Sequence, residues 1–234
     1  MKGLWLGQAG FLFCAQNGAC AMVDPYLSNA LRESEGEAYT REVPADPRFL
    51  RAPDILVLTH CHADHMDPAT LGALFAPGQK RMTVLAPAGV FPFLREHWPG
   101  AAEYILFTPG TEVTLLGMRF IAQYAAHSDP HAIGLVLEAD GRRVYHTGDT
   151  LYHRRVLQNA PAGLDLLILP INGRGNNMNA EDAARMARQL APKAVLPMHW
   201  DMFSAFGCDP GPFGGLLAGV LPVLMPRHYE YFTI

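Results

Sequence analysis

Within seven residues, Thr59-His60-Cys61-His62-Ala63-Asp64-His65, the chain carries three imidazoles and a carboxylate, directly after the strand-like run Asp54-Ile55-Leu56-Val57-Leu58. On an extended backbone successive side chains alternate faces, so His60 and His62 project to one side while Cys61 and Ala63 point to the other. Two nitrogen ligands therefore converge without the chain folding back. Asp64 and His65 follow as the strand opens into a loop, and Asp67-Pro68 supplies an N-cap carboxylate and a first-turn proline to a helix over 68–75. Groups that lose this much hydration on burial are poorly explained as core packing. The pattern is that of a metal-binding segment at the carboxyl end of a strand.

Two further runs end in strong ligands after an apolar strand: Arg143-Val144-Tyr145-His146-Thr147-Gly148-Asp149-Thr150 and Ala194-Val195-Leu196-Pro197-Met198-His199. Gly148 lets the backbone turn tightly beside Asp149, whose two oxygens could bridge two cations. The segment Ala125-Ala126-His127-Ser128-Asp129-Pro130-His131 offers two imidazoles for one remaining position. Spacing leaves both open; His127, directly after a strand-like run, is the expected ligand, with His131 the alternative. His97, His146, His153 and His228 join no ligand pattern and read as structural or solvent-facing.

The elements that must position these groups are short and numerous. Strands are expected at 54–59, 82–86, 104–107, 112–124, 132–139, 142–147, 165–169, 194–197 and 228–233, and helices at 68–75, 88–97 and 180–190. Asn17-Gly18 and Asp140-Gly141 mark hairpin turns, and Asn179 with Asp182 three residues on gives the last helix a capped start. The polar stretch 29–51 reads as a surface excursion or lid. Mixed strands with intervening helices favour two packed sheets with helices on their outer faces, an α+β four-layer αββα sandwich.

With 234 residues, half of them hydrophobic, and no long hydrophilic linker, the chain is expected to form a single domain over 1–234. The formal charge of −4 and the lack of Lys/Arg runs give no source of non-specific attraction to nucleic acid or to an anionic membrane. No apolar stretch is long enough to span a bilayer, and Gly7, Gln8, Gly10, Gln16 and Asn17 interrupt the apolar start as a hairpin would and a signal peptide would not. Cys14, Cys20, Cys61 and Cys208 show neither CxxC spacing nor the density of a disulfide scaffold, so a reducing cytoplasm is the expected setting.

The set His60, His62, Asp64, His65, His127, Asp149 and His199 resembles the dinuclear site of the metallo-β-lactamase superfamily. Within it the chain is similar to the L-ascorbate-6-phosphate lactonase family and its metal-dependent hydrolase relatives. That likeness runs through Trp5-Leu6-Gly7-Gln8-Ala9-Gly10-Phe11, Asp24-Pro25-Tyr26-Leu27-Ser28-Asn29, the segment 60–67, Gly148-Asp149-Thr150, Ile171-Asn172-Gly173-Arg174 and Pro197-Met198-His199-Trp200-Asp201-Met202-Phe203. At 234 residues the chain is shorter than those lactonases.

The resemblance implies two divalent metal ions, Zn or Mn, with Fe or Ni also compatible with nitrogen and oxygen donors. His60, His62 and His127 would hold one, Asp64, His65 and His199 the other, with Asp149 bridging and Asp64 and Asp149 counted as catalytic. Such a pair acidifies a shared water for attack on an electrophilic carbon or phosphorus, so no Ser or Cys nucleophile is needed. His62 stands where oxygen-reducing diiron relatives carry a carboxylate, which favours hydrolysis. Asn172 and Arg174 are the expected substrate-binding residues, the guanidinium acting as an oxyanion clamp, and Asp24 is expected to buttress a ligand histidine.

The expected reaction is hydrolysis of a lactone or related ester of a small, anionic or phosphorylated molecule. The alternative is a phosphodiesterase acting on a cyclic or small nucleotide ester, and a third reading is a non-catalytic metal-binding protein. The expected partners are a small-molecule substrate and, by the resemblance, a second copy of the chain in a homo-oligomer.

Overall fold

Alternation of side chains along short strands organises the molecule, and the computed structural model describes residues 1–234. The first sheet has strand order β13-β1-β2-β3-β4-β5-β6, with β1 Lys2–Gly7, β2 Gly10–Cys14, β3 Cys20–Val23, β4 Ile55–Val57, β5 Thr83–Ala86, β6 Glu103–Leu106 and β13 Tyr231–Thr233. The second runs β12-β11-β10-β9-β8-β7, with β7 Glu112–Leu115, β8 Met118–Tyr124, β9 Ile133–Ala139, β10 Arg142–His146, β11 Leu166–Pro170 and β12 Ala194–Met198. In β4, Ile55 and Val57 face the second sheet while Leu56 faces outward; in β11, Leu166 and Ile168 face inward while Leu167 and Leu169 face outward. Strands apolar on both faces belong in the middle of a layered structure.

The outward faces are covered by helices. On the first sheet, Leu71 and Leu74 of α2 (Pro68–Leu74) and Leu94 of α3 (Phe91–His97) pack on Leu56, Leu58 and Val84. On the second, α4 (Arg154–Asn159), α5 (Ala180–Leu190) and α6 (Gly211–Leu217) pack on Tyr145, Leu167, Leu169 and Val195. Asn179 caps α5 by accepting from the Asp182 N–H at 2.9 Å, and the buried face of Ala183, Ala184, Met186 and Ala187 brings the helix close to the sheet. The architecture is the αββα sandwich. A further helix, α1 (Ala30–Glu35), buries no residue and belongs to the excursion over 29–51.

Several local expectations change. Residues 112–124 form two strands because Leu116 and Gly117 both take positive φ, 50° and 78°, and reverse the chain; only Gly117 signals this in sequence. Asp140-Gly141 is the expected two-residue turn, with φ 53° and 69°. Asn17-Gly18 lies in a longer loop closed by the Ala15 N–H bond to Ala19 O at 2.9 Å. At 228–233 only Tyr231–Thr233 is strand, and α3 begins at Phe91. The short helices α1, α4 and α6 were not signalled; α6, sequence GPFGGLL, has poor intrinsic propensity and forms because Phe213 and Leu217 are buried against the sheet. Against the reducing setting expected from cysteine spacing, Cys14 and Cys20 are cross-strand partners at the end of the β2–β3 hairpin and form a disulfide, leaving Cys61 and Cys208 free. No helix is long and apolar enough to cross a membrane.

Asp165 ties the parallel strands together at their amino ends. It accepts from Arg143 N at 2.8 Å, Lys193 Nζ at 2.8 Å and Arg142 Nη1 at 3.1 Å. Burial opposes its ionisation, but the bonds from Lys193, Arg143 and Arg142 outweigh that and hold the carboxyl below its ordinary value. A depressed folded-state pKa stabilises above the unfolded value, about 3.9, and the gain disappears as pH falls through the folded one. Asp165→Asn is therefore expected to cost about 1 kcal/mol in urea unfolding at pH 7, with the gap to wild type closing as the pH drops below about 4.

Candidate metal centre

Four strand ends deliver the site. The loop after β4 carries His60, His62, Asp64 and His65; β8 leads to His127, β10 to Asp149 and β12 to His199. Their donor atoms form two clusters, His60–His62–His127 and Asp64–His65–His199, each with its atoms within 4.8 Å of one another. In the first, His127 Nε2 lies 3.1 Å from His62 Nδ1, and the His60 ring stands 4.6 and 4.7 Å from those of His62 and His127. In the second, His199 Nε2 is 3.0 Å and Asp64 Oδ2 3.6 Å from His65 Nε2.

Asp149 lies between the clusters. Its Oδ1 is 2.8 Å from His199 Nε2 and 3.3 Å from His65 Nε2, and its Oδ2 is 4.0 Å from His127 Nε2. All seven expected residues thus meet, while His131 is exposed and turned away, its backbone N–H bound to Asp129 Oδ1 at 2.8 Å.

Partners on the far side of three of the rings fix which nitrogen faces inward. Asp24, buried in a left-handed backbone conformation with φ 41°, receives His65 Nδ1 at 2.8 Å and the Thr59 N–H at 2.8 Å. The Thr59 hydroxyl donates to Asp24 and so accepts from His60 Nδ1 at 3.0 Å, leaving the His60 Nε2 lone pair directed into the site. His127 Nδ1 donates to Asn176 O at 3.2 Å, with the same result. The expected buttressing role of Asp24 is in place.

Whether these residues fit a cation is decided by what they lack. His60 Nε2 and Asp149 Oδ1 are buried and accept no hydrogen bond, although Asp149 Oδ1 stands close to two imidazoles. Buried polar atoms without partners are costly and rare, and two of them aimed into one pair of nitrogen and oxygen clusters suit divalent cations.

Electrostatics agree. Burial, then the proximity of His65 and the other imidazoles, holds His60 well below the usual histidine range, so it is neutral and able to ligate. At His65 burial acts the same way, but Asp149, Asp64 and Asp24 outweigh it and push the imidazole up. Asp149 is held well below the carboxylate range because His199 and His65 overcome its burial. Excess negative charge in the site is thus balanced through protons on imidazole, the places a metal ion would take. Cys61 stands outside both clusters, and desolvation and its bond to Asp129 push the thiol up to about 11.

Sequence reasoning missed three supports. The Gln8 side-chain amide lies 2.8 Å from Asp64 Oδ2 and 3.0 Å from His199 Nδ1, linking two members of the second cluster. Buried Asn177 donates to Asp149 Oδ2 at 2.7 Å and accepts from Thr150 N at 3.0 Å. Asp129 Oδ2 accepts from the Cys61 N–H at 3.0 Å, tying the His60–His62 segment to the His127 loop. The glycine-rich loop 172–177 carries the signal for Asn177, beside the expected Asn172 and Arg174. Asn172 is buried, pairs through its backbone with Asn179 and lies off the pocket, because Gly173 at φ 65° turns the chain and presents Arg174 to Asn177 instead. Arg174 lines the pocket, with Nη1 donating to Ala205 O.

The other histidines are structural, as expected. His146 bonds Ala9 O at 3.0 Å and Gly148 N at 3.1 Å, His153 caps α4, His97 contacts Phe93 O, and His228 pairs with Asp201.

The pocket over the clusters encloses about 340 Å³. One wall comes from 29–51, the other from the loop after His199, and the two are joined by Ala205 N to Ala38 O at 3.0 Å and Glu42 N to Met202 O at 2.9 Å. Arg41, 5% exposed and without a carboxylate partner, fastens this excursion to the sheet: it donates to Val43 O at 3.0 Å, Leu6 O at 3.4 Å and Tyr229 Oη at 2.8 Å, and to Tyr26 O.

An αββα sandwich with paired histidine–carboxylate clusters at its strand ends defines a metal-dependent hydrolase of the metallo-β-lactamase superfamily. Residues 21–200 match the β-lactamase superfamily domain, and the chain belongs to that family. It is 28% identical over 243 residues to a UPF0173 metal-dependent hydrolase of Thermococcus onnurineus, covering 100% of both chains, and 30% identical over 217 residues to one of Methanoculleus marisnigri, covering 88% of this chain and 83% of that one. Among solved structures, Igni18, a metallo hydrolase from Ignicoccus hospitalis, matches with a TM-score of 0.76 at 24% identity, covering 100% of this chain and 98% of that one.

Gln8→Ala is expected to weaken metal binding by about 10- to 100-fold in chelator competition. Metal affinity equal to wild type in this variant would remove the assignment of Gln8 as a support of the second cluster.

Proposed function

We propose that the chain is a dinuclear hydrolase opening a lactone or related ester of a small molecule. The supporting observation is the placement of Asp149 between two three-residue clusters, with its Oδ1 and His60 Nε2 left without hydrogen bonds. His60, His62 and His127 would hold one divalent ion and Asp64, His65 and His199 the other, with Asp149 shared; Zn and Mn both suit these donors. When bound, such a pair lowers the pKa of water and polarises a carbonyl oxygen.

The remaining work belongs to the side chains. Asn177 fixes the Asp149 carboxylate through Oδ2 and keeps Oδ1 directed at His65 and His199. Asp24 and Thr59 hold His65 and His60 in the tautomers that ligation requires. Asp64 lines the pocket and is placed to accept a proton from water there. Arg174, with guanidinium N–H groups beyond the one bound to Ala205, is placed to hold an oxygen of the substrate. The lactonase likeness of the sequence supports a lactone over a phosphodiester, which the same water could also attack.

Metal-loaded protein is expected to open lactones faster than it cleaves cyclic or linear phosphodiesters, and His62→Ala to lower kcat/KM at least 100-fold. Chelation should abolish turnover, and added Zn or Mn should restore it. Activity equal to wild type in His62→Ala would point to a contaminant and remove the proposal.

A further inference from the structure

The walls of the pocket describe the part of the substrate that does not react. Beyond the ligand residues, its lining is apolar on one side: Leu31 and Tyr39 from the excursion, Phe203 and Phe206 from the loop after His199. The aromatic rings pack together. Tyr39 meets Phe206 edge-on at 5.6 Å and Phe203 at 6.1 Å, and Phe203 in turn rests edge-on against the buried ring of Tyr26 at 5.3 Å. Phe206 also closes on the glycine-rich loop from above: a Cβ at Gly175 would stand 3.4 Å from its ring. Such a corner offers ring faces and edges to a flat apolar group.

The charges of the lining exclude a strongly anionic tail. Apart from the metal-facing residues, the pocket has one cation, Arg174, with one nitrogen committed to Ala205 O, and one carboxylate, Glu35; no lysine lines it. A phosphate monoester needs several charge-assisted donors, and here a single shared guanidinium is opposed by a carboxylate. A volume of about 340 Å³ lies at the small end of ligand pockets, enough for one ring and a short chain.

We infer that the substrate is a small lactone or ester bearing an aryl group on the carbon that carries the ester oxygen, uncharged or with a single negative charge, and that Phe206 and Tyr39 select it. The inference rests on the hydrolase reading for its chemistry. Water adds its oxygen to the acyl carbon, the bond from that carbon to the ring oxygen breaks, and the proton ends on the departing oxygen, giving a hydroxy acid with no other reactant.

The test uses zinc-loaded full-length protein. Calorimetric binding of butyrate, 4-phenylbutyrate and 3-phosphonopropionate is compared with kcat/KM for γ-butyrolactone and γ-phenyl-γ-butyrolactone, in wild type, Phe206→Ala, Phe206→Leu and Tyr39→Ala, with thermal unfolding of each. The phenyl compound of each pair is expected to be favoured about tenfold or more by wild type. Phe206→Ala and Tyr39→Ala should reduce that ratio to about twofold, with Phe206→Leu between; if Phe206→Ala does not fold, Phe206→Leu carries the comparison.

Equal binding of butyrate and phenylbutyrate, or tightest binding of the phosphonate, overturns the inference. Lactone opening without phenyl preference leaves the hydrolase reading standing and removes this one. Phenyl preference in binding without turnover of any lactone removes the hydrolase reading and the lactone with it, and leaves only the selection of an aryl group by Phe206 and Tyr39.

Discussion

A carboxylate buried among imidazoles sets the terms for this molecule. Asp149 is surrounded by His65, His199 and His127, and its Oδ1 makes no hydrogen bond. A charge at this depth costs several kcal/mol unless it is paired, and the neighbouring imidazoles supply that pairing. Two of the other site carboxylates, Asp24 and Asp64, lie against the same His65 ring. The protein collects anions and neutral nitrogen donors in one place and leaves the balancing charge to protons or metal ions. The supporting residues Thr59, Gln8, Asn177 and Asp129 can all be understood as holding that arrangement against its own repulsion.

The fold solves the geometric half of this problem. The strands that precede His127, Asp149 and His199 lie in one sheet and the strand before His60 in the other, so the ligands converge only where the two sheets face each other at their carboxyl ends. The alternating apolar faces of β4 and β11 make that facing possible, one row of side chains filling the space between sheets and the other receiving helices. Residues 62 and 199, far apart in the chain, thereby line one pocket.

Much of this was legible in the residues. Each ligand follows an apolar strand, and strand exits are where rigid backbone gives way to turns able to aim a side chain; the Gly148-Asp149 turn and the His60–His65 segment carry that signal locally. The choice between His127 and His131 was not local, because it depends on Asp129 holding the intervening loop by its backbone N–H groups. Gln8 and Asn177 were invisible for a similar reason: an amide takes its meaning from distant partners. Which residues of the polar loop 172–177 face the pocket depends on the turn at Gly173, after which Arg174 to Asn177 line it. The Cys14–Cys20 bond depends on hairpin register, which the six-residue spacing alone did not specify.

Arg41 gives the excursion over the pocket a particular mechanical character. Its guanidinium, drawn below its ordinary value mainly by burial, is solvated by carbonyl oxygens and the Tyr229 hydroxyl in place of water. Lifting the whole segment would break that inner solvation at once, whereas rotating Phe206 or Tyr39 disturbs only ring contacts. The backbone of the excursion is thus held as a fixed wall, and the side chains of Phe206 and Tyr39 are the parts of the rim bound only by ring contacts.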